Sequence, residues 1–521
     1  MKKIICAMLA VLMMTGLFAG CGGKSGKVEL VWAIPFSEQK DTDKVVKEIN
    51  KRLETLLPDT TIKLKLDPSM ASKWALWMAG KTQIDIALSG YATDLATEIN
   101  KNSFTALDSL IDKYAPTIKS EMSKYESLYQ TGTMNGKLYA IPNVQIHIND
   151  AVYFGIPDSL KQYFDTEAFV KAVKENPTTT EVFYQIIDNY LNSASKKVDS
   201  ATQAPLIAGI EHVFRNMVKR GYEFIGGNNS LLCYKVSDPE CKVVSFYDTD
   251  EFKVYMKYAA KWYGDGYISK DILVGEDGVG NKAGLFNANI TNFRISDVNG
   301  DGIITVEEAA ETNAADQKSY KICMTPNEQK YRGTSVIGSL KTYCSIPTTS
   351  KNPERAMQLL ELLRTEKGAE ILNLLCYGIE GTHYEKLSDT EIKAFDYNGQ
   401  GSSTSAYGIP NWELGNMFNE YTCYPYTKAT VEAAEKYFND ELPNFTKTPV
   451  YGLSINNKNV ENELAQMAAA NDEFMLQLIG GTNGTANYMS TYDKLIKKLE
   501  AAGIEKVKKE YQSQIDSFIK K

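Results

Sequence analysis

The feature that most limits the fold is an alternation of short apolar segments with amphipathic ones near the start of the chain. The strand-like segments read VELVWAI, TIKLKL and QIDIALSG, and the helix-like segments between them read DTDKVVKEINKRLETLL and KWALWMAG. When a helix connects two successive strands, the strands lie parallel in the sheet and the helix packs on one of its faces. The sequence therefore predicts an α/β fold built on a parallel sheet. A charged, amphipathic and helical region is predicted from Val460 to Lys521.

The first residues, MKKIICAMLAVLMMTGLFAGC, have two lysines, an apolar run and small residues directly before Cys21. This segment is typical of a secretory signal and is too short to span a membrane. It resembles a bacterial lipoprotein signal. That resemblance implies a signal peptide over residues 1–20, with diacylglycerol and palmitate on Cys21, a lipidated tether over residues 21–27, and anchoring in the membrane by the acyl chains. The alternative is an ordinary secretory signal with an incidental cysteine.

Composition limits the partners of the mature chain. Removing residues 1–20 from 521 leaves 501 residues, and it reduces 57 basic side chains to 55 against 65 acidic ones, a net charge of −10. Binding to nucleic acid phosphates needs concentrated Lys and Arg, so nucleic acid is excluded as a partner. A chain of this length needs more than one hydrophobic core. Six further cysteines follow no metal-site or disulfide spacing, and their pairing cannot be deduced: Cys233, Cys241, Cys323, Cys344, Cys376 and Cys423.

The segment DVNGDGIITVEE, residues 297–308, matches the twelve-residue calcium loop of EF-hands. Gly302 occupies position six, where the chain turns sharply. Oxygen ligands are predicted at positions 1, 3, 5, 7, 9 and 12, from Asp297, Asn299, Asp301, the Ile303 carbonyl, Thr305 and Glu308. An acidic surface turn is the alternative. Because no pair of flanking helices is evident, we expect a structural calcium site and not a sensor.

Several stretches together resemble the extracellular solute-binding proteins of bacterial ABC importers, of the sugar-binding type. They are FSEQKDTDKVVKEIN, FTALDSLIDKYAP, NGKLYAIPN, WYGDGYISKD, SIPTTSKNPERAMQLLELL and YGIEGTHYE. A lipoprotein subgroup with a C-terminal domain of unknown function is similar in NWELGNMFNEY and LEAAGIEKVKKEYQSQIDSF.

The resemblance implies two α/β lobes with a ligand cleft between them and hinge crossings of the chain, the fold of periplasmic binding proteins. Lobe one is expected to hold residues 27–141 and about 284–344, with the calcium loop as an insertion in it. Lobe two is expected to hold about 142–283 and 345–521, including the helical C-terminal region. The crossings are expected at YAIPN (residues 139–143), near NKAGLF and at TYCSIP.

Sugars present hydroxyls and C–H faces, so their clefts combine aromatic platforms with short polar side chains. Ligands bind beyond the carboxyl ends of parallel strands, which directs attention to the loop after the first strand. Core packing is the alternative for at least one of Trp74 and Trp77, and it is preferred for Trp262. The candidate ligand-binding residues are Trp32, Phe36, Glu38, Trp74, Tyr91, Asn143, Gln145, Glu380 and Trp412, the last two through the resemblance.

Enzymatic motifs are missing from the sequence. It has three histidines, no HExxH and no G-x-S-x-G, and GVGNKA follows no full strand as a dinucleotide loop requires. We expect a monomeric, non-catalytic lipoprotein on the outer face of the cytoplasmic membrane that delivers an oligosaccharide to importer permease subunits. A secreted glycoside hydrolase stays open as an alternative, because two carboxylates suffice for it. A peptide-binding importer lipoprotein is a second alternative, and an adhesion or scaffold protein a third.

Overall fold

The computed structural model describes the greater part of the chain after residue 25. The described ranges are 26–90, 93–134, 136–144, 151–225, 231–291, 299, 301–306, 308, 319–324, 342–395, 406–410, 414–424, 426–441, 448–450, 453 and 455–520. Within these residues no helix is both long enough and apolar enough to cross a membrane. The predicted signal peptide, Cys21 and most of the tether lie outside the described residues.

The first part of the chain forms the predicted parallel sheet. Strands β1 (Val28–Ile34), β2 (Thr60–Leu66) and β3 (Ile86–Gly90) lie side by side in the order β2-β1-β3, with Val28 opposite Thr60. Helix α1 (Thr42–Leu56) buries Val45, Ile49 and Leu53, because residues four apart share one face of a helix. The other elements are α2 (Met70–Ala79), α3 (Leu95–Asn100), α4 (Asp108–Tyr114), α5 (Pro116–Lys124), α6 (Glu126–Gln130), β4 (Thr133–Met134), β5 (Lys137–Leu138) and β6 (Ile141–Pro142).

The middle of the chain forms a separate, antiparallel sheet in the order β11-β7-β13-β12. Its strands are β7 (Ala151–Pro157), β11 (Asn287–Thr291), β12 (Ile303–Ile304) and β13 (Ser319–Cys323). A small sheet joins β8 (Tyr222–Phe224), β9 (Leu232–Lys235) and β10 (Val244–Ser245). The helices of this part are α7 (Thr166–Glu175), α8 (Glu181–Ala194), α9 (Ile210–Lys219) and α10 (Asp250–Gly264).

The chain then returns to the first sheet. Strand β14 (Thr342–Ser345) pairs antiparallel with both β3 and β6, which completes a five-stranded sheet. Helix α11 (Pro353–Leu362) begins with proline in its first turn, where no backbone N–H is needed. It is followed by α12 (Ala369–Tyr377), β15 (Tyr384–Lys386), β16 (Glu391–Ala394), β17 (Thr422–Cys423) and α13 (Lys428–Glu441).

The predicted helical C-terminal region is confirmed. Helices α14 (Glu461–Ile479), α15 (Gly484–Ala501) and α16 (Ile504–Ile519) pack on one another, and α14 and α15 also pack against α10. Tyr255 of α10 donates a hydrogen bond from its hydroxyl to the Ile479 carbonyl at 2.8 Å, which fixes the end of α14 on that helix. These three helices share one hydrophobic core with the middle of the chain.

The described apolar side chains form two large cores, and these define the lobes. Lobe one contains the described residues within 28–144 and 342–423, and lobe two contains those within 151–324 and 460–515. The expected boundaries were therefore wrong after residue 283: the described residues within 284–324 belong to lobe two, and those within 345–423 belong to lobe one. The physical reason is strand pairing, since β11 and β13 both pair with β7, whereas β14 pairs with β3.

The crossings change accordingly. The first lies after Val144, next to the YAIPN stretch expected for it, and the second lies between Met324 and Thr342. The crossing expected near NKAGLF is wrong, because Leu285 and Phe286 are buried in the core of lobe two. TYCSIP is not a crossing but the strand at which the chain enters lobe one again. A third passage, to lobe two, lies between Glu441 and Thr448, since the Thr448 hydroxyl bonds that of Tyr234 at 2.7 Å.

Candidate ligand-binding site

One edge of the lobe-one sheet gathers the ends of its parallel strands and two chain crossings. Strand β3 ends at Gly90, and antiparallel β14 begins opposite it at Thr342. Asn143, at the exit from lobe one, donates its backbone N–H to the Thr342 carbonyl at 3.1 Å. The chain therefore leaves and re-enters the lobe at the edge where β1, β2 and β3 end. Ligands of open α/β sheets bind outside this edge, which we call the cleft edge.

Lobe two receives the two crossings side by side as well. Met324, directly after β13, donates its N–H to the Val152 carbonyl at 2.6 Å near the start of β7. Arg220 is fully buried and donates to the Met324 carbonyl. It also donates to the carbonyls of Val173, in the last turns of α7, and of Asn176 and Thr178, directly after that helix. These hydrogen bonds fix the ends of the crossings to the rest of lobe two.

In lobe one, a buried polar network fixes the start of the first crossing. Arg364 donates to the Pro142 carbonyl at 2.7 Å and to the Glu121 carboxylate at 2.8 Å. Glu121 also accepts from the Tyr129 hydroxyl and from the Asn416 amide, each at 3.0 Å. Asn416 bridges to Val144, so the segment after residue 413 lies against the first crossing. The Arg364 cation and the Glu121 carboxylate each have several hydrogen-bond partners, as burial of an ion pair requires.

The loop between β1 and α1, residues 35–41, extends from the cleft edge and is hydrogen-bonded to residues 406–408. The Gln39 amide donates to the Gly408 carbonyl at 2.9 Å, and the Gly408 N–H donates to Gln39 at 2.7 Å. Asp41 donates its N–H to the Ala406 carbonyl at 3.1 Å. Within this loop Phe36 is half-buried and Glu38 is exposed. An aromatic face and a carboxylate at the end of a parallel strand suit the C–H faces and hydroxyls of a sugar.

The C-terminal region of lobe two holds one loop, that of Asn457, in place through a buried tyrosine. Tyr511 of α16 is buried and donates its hydroxyl to the Asn457 side chain at 2.8 Å. Burial and, to a smaller extent, the charge of Asp94 raise the pKa of Tyr511 to about 12. Asp94 caps α3, directly after the cleft edge. The loop of Asn457 is further held by two hydrogen bonds of 2.8 Å between the Gln514 amide and the Asn456 backbone.

Three sequence-predicted ligand residues are wrong, because they are buried within lobe one. Trp32 is 0 % exposed, since both faces of the sheet are covered and its strand has no solvent face. Trp74 is 2 % exposed, and its indole N–H donates to Glu98 at 2.9 Å while its ring packs on Phe104. Asn143 is fully buried beside Cys344, so it holds the crossing together instead of facing a ligand.

Of the remaining predicted ligand residues, some lie at described positions and others lie outside the described residues. Phe36 and Glu38 lie in the loop at the cleft edge, and they stay predictions. Glu380 is exposed and forms an ion pair with Lys386 at 3.6 Å. Tyr91, Gln145 and Trp412 lie outside the described residues. The core packing preferred for Trp262 is confirmed, and Trp77 is buried as well.

Sequence reasoning missed His383 and Asp41, which secure the cleft loop, and also Tyr511 and Asn457. The His383 Nε2 lies 3.2 Å from Asp41 Oδ2. Both residues fall within the stretches that carried the family resemblance, YGIEGTHYE and FSEQKDTDK. Only their proximity in three dimensions distinguishes them from other polar surface residues, and sequence spacing does not reveal it.

The described part of the calcium loop lies in lobe two, not in lobe one as expected, because β12 pairs with β13. Position twelve reaches back across the loop, and the Glu308 carboxylate accepts from the Asn299 amide at 2.7 Å. Gly302 has φ +86°, the conformation that position six requires. Asp297, the first ligand, lies outside the described residues. Calcium binding by this loop stays a prediction.

Comparison with known proteins identifies one family model and several relatives. Residues 449–520 match a domain of unknown function, DUF3502, which confirms the predicted C-terminal domain. A protein of Streptococcus pneumoniae called carbohydrate ABC transporter substrate-binding protein is 24 % identical over 544 aligned residues, covering 100 % of this chain and 99 % of the relative.

Two solved structures of the same organism share the fold. The N-glycan transport solute binding protein in complex with Man1GlcNAc has a TM-score of 0.64 and 20 % identity, covering 95 % of this chain and 100 % of that one. The substrate binding protein FusA, an EF-hand mutant in complex with fructo-nystose, has a TM-score of 0.55 and 13 % identity, covering 94 % and 99 %. The predicted two-lobed fold of solute-binding proteins and the predicted resemblance are confirmed.

Proposed function

We propose that this chain captures an oligosaccharide in the cleft between its lobes and delivers it to an ABC importer outside the cytoplasm, without converting it chemically. The observation that carries this proposal is the cleft edge. Three parallel strands end there, next to the two chain crossings. The loop that carries Phe36 and Glu38 extends from the same edge. Ligand sites are concentrated at such strand ends and between domains.

The named activities of the relatives support an oligosaccharide as the ligand. The relative that aligns with the full chain is called a carbohydrate transporter protein, and the structurally similar N-glycan transport protein has complexes with Man1GlcNAc and Man5GlcNAc. The 760 Å³ groove along α16 has a different chemistry: it is lined by charged side chains such as Glu240, Lys508 and Lys509 and lies away from the cleft edge. We therefore place the sugar at the cleft edge and not in that groove.

The paired crossings give the binding step its mechanism. Each crossing is fixed on both lobes, at Pro142 and Thr342 in lobe one and at Val152 and Met324 in lobe two. Closure of the lobes on a ligand would require dihedral changes between these fixed points. Closure brings the loop of Phe36 and the loop of Asn457 onto opposite sides of the bound sugar.

Calorimetric titration with Man5GlcNAc and with a panel of plant and bacterial oligosaccharides tests the proposal. We expect saturable binding of at least one oligosaccharide, no heat with peptides, and recovery of the sugar unchanged by mass spectrometry. Phe36→Ala should weaken binding by about 1–2 kcal/mol through loss of the platform. Leu76→Ala is the matched control, because Leu76 is 72 % exposed on α2 and its loss should leave affinity unchanged. Cleavage of a bound sugar would favour a hydrolase instead.

We further propose that the loop of residues 297–308 binds calcium and fastens the β12–β13 side of lobe two. Asp297, Asn299, Asp301, Thr305, Glu308 and the Ile303 carbonyl would hold the ion. Calcium, when bound, would neutralise three carboxylates that otherwise repel one another. The EF-hand named in the FusA structure supports such a loop in this fold. The described ligands lie on the far side of β13 from β7, so we assign the ion a structural role.

We propose that the protein is anchored at the outer face of the membrane, as its N-terminal segment suggests. Cys21 would carry the acyl chains, and residues 22–27 would tether the folded part to the outer face of the membrane. Two acyl chains suffice for stable anchoring. The name of the full-length relative, an ABC transporter substrate-binding protein, supports an extracytoplasmic location and an importer permease as the partner.

A further inference from the structure

His383 is buried behind the cleft loop and has a hydrogen-bond partner on each ring nitrogen. It is 1 % exposed. Its Nδ1 accepts the backbone N–H of Ile379 at 2.9 Å, and its Nε2 lies 3.2 Å from the Asp41 carboxylate. A backbone N–H only donates, so Nδ1 carries no proton and Nε2–H donates to Asp41. The neutral tautomer therefore satisfies both partners.

The ring has little room to move away from these partners. Gly378 has φ +78°, and a Cβ atom built on it would lie 2.5 Å from Nδ1 of His383. The Tyr407 ring lies 5.9 Å from the imidazole on another side, and the Tyr407 hydroxyl is engaged by the Leu375 carbonyl at 3.0 Å. A protonated ring would direct a second N–H at the Ile379 N–H, and it has no space to turn aside without displacing a neighbour.

Several charged and titratable groups face the imidazole. Burial lowers the pKa of His383 below its usual 6.5, and Lys44 of α1 acts in the same direction. Asp41, also at the start of α1, opposes them by favouring the charged form. Tyr407 is the titratable neighbour on the third side, and burial raises the pKa of its hydroxyl, so it stays neutral. Because the pKa of His383 lies below 6.5, the ring is neutral at pH 7.5 and takes up a proton only at a lower pH than a solvent-exposed histidine does.

Asp41 connects this histidine to the ligand-binding side of the loop. Asp41 ends the loop of residues 35–41, and Gln39, two residues earlier, forms the reciprocal pair with Gly408. The Asp41 N–H bonds the Ala406 carbonyl in the same neighbouring segment. Residues 406–408 and His383 therefore hold the far end of the loop that carries Phe36 and Glu38, in addition to the packing of Phe36 on the core of lobe one.

We propose that His383 is a positioning residue for the ligand. In its neutral form it holds Asp41, and so the loop that presents Phe36 and Glu38, whereas protonation breaks the Ile379 bond, displaces Asp41 and weakens ligand binding. This inference rests on the proposed function, because it gives the loop its role in the cleft. It assigns a pH dependence to binding although His383 itself does not contact the ligand.

Two isosteric variants separate the bonds of the imidazole. His383→Asn places an amide where Nδ1 stood, so it retains an acceptor for Ile379 but does not reach Asp41. His383→Gln reaches Asp41 with an amide N–H and does not titrate. His212→Asn is the control, since His212 is exposed on α9 of lobe two.

The first experiment is calorimetric titration of Man5GlcNAc, or of whichever panel sugar binds wild type, between pH 7.5 and 5.5. We expect affinity of wild type to fall about 5- to 10-fold over this range, and His383→Gln to show less than a third of that change. His383→Asn should bind about 10-fold more weakly already at pH 7.5. An unchanged pH slope in His383→Gln, or wild-type affinity of His383→Asn at pH 7.5, would overturn the inference.

The second experiment needs no ligand, so it separates this inference from the proposed function. Amide hydrogen exchange at pH 7.5 is compared between wild type, His383→Asn and His212→Asn. We expect faster exchange in His383→Asn over residues 36–41 and 406–408, with β1–β3 unchanged. If those two segments exchange as in wild type, His383 does not position the loop, whether or not a sugar binds.

Discussion

Each lobe fastens the chain crossings with one buried arginine, but the two arginines have different partners. Arg364 in lobe one divides its hydrogen bonds between the Pro142 carbonyl and the Glu121 carboxylate. Arg220 in lobe two donates to four backbone carbonyls, those of Val173, Asn176, Thr178 and Met324. An ion pair thus fixes the crossings in lobe one, and charge–dipole contacts fix them in lobe two. The stability of the two lobes should therefore respond differently when the arginine is replaced.

The largest effect is expected for Arg364→Met. It leaves Glu121 charged and buried without its cation, so lobe one should lose about 3–5 kcal/mol of unfolding free energy. Denaturant unfolding followed by hydrogen exchange in the β1–β3 segments measures the loss. Adding Glu121→Gln to this variant removes the uncompensated charge and should restore at least half of the stability. A double variant that is no more stable than Arg364→Met would show that charge is not the cause.

Arg220→Met should cost less, about 2–3 kcal/mol, because it leaves buried carbonyl dipoles unpaired but creates no buried charge. The loss should be confined to lobe two, and the same exchange experiment measures it in β7 and β13. Arg220→Lys is the control that keeps the charge and one or two of the bonds. A loss greater than that of Arg364→Met would reverse the comparison between the two lobes.

Calcium should stabilise lobe two selectively. At a calcium concentration ten times the dissociation constant, binding adds about 1.4 kcal/mol, and extracellular loops of this type have constants on the order of 10⁻⁴ to 10⁻³ M. Chelation should lower the melting temperature of lobe two and leave that of lobe one unchanged. Glu308→Gln should remove the calcium dependence. Equal destabilisation of both lobes by chelation would contradict the placement of the loop in lobe two.

The smallest expected effect is the acid sensitivity of lobe one through His383. Its pKa is lowered in the folded protein, mainly by burial, so the unfolded chain binds the proton more readily. The stabilising contribution is fully present above the unfolded pKa of about 6.5, and it is lost as the pH falls below that value. Thermal melting of wild type and His383→Gln at pH 7.5 and 5.5 tests this. The drop in melting temperature should be smaller in the variant.

The fold divides into a part that local sequence predicts and a part that it does not. The β1-α1-β2-α2-β3 series is visible because each helix and strand has its own periodicity and its neighbours in sequence are its neighbours in space. Strands β11 and β13 pair instead with β7, more than 130 residues earlier. An apolar strand does not specify its distant partner, and for this reason the boundary between the lobes was misplaced after residue 283.

Within the site, residue type was a poor guide to exposure. Phe36 and Glu38 were predicted from the loop that follows β1, and the structure places both at the cleft edge. Trp32 and Trp74 were predicted because aromatic rings bind sugars, but both are buried. Composition does not distinguish a ring in the core from a ring at the surface, since strands covered on both faces lack the alternation that marks a solvent side.

The central claim is that a sugar is held between the two lobes. Small-angle X-ray scattering of the mature protein, with and without a saturating oligosaccharide that binds by calorimetry, tests it most directly. Closure of the lobes on the ligand predicts a smaller radius of gyration with sugar, and Phe36→Ala should reach the same value only at higher sugar concentration. An unchanged radius of gyration at calorimetric saturation would contradict binding in the cleft.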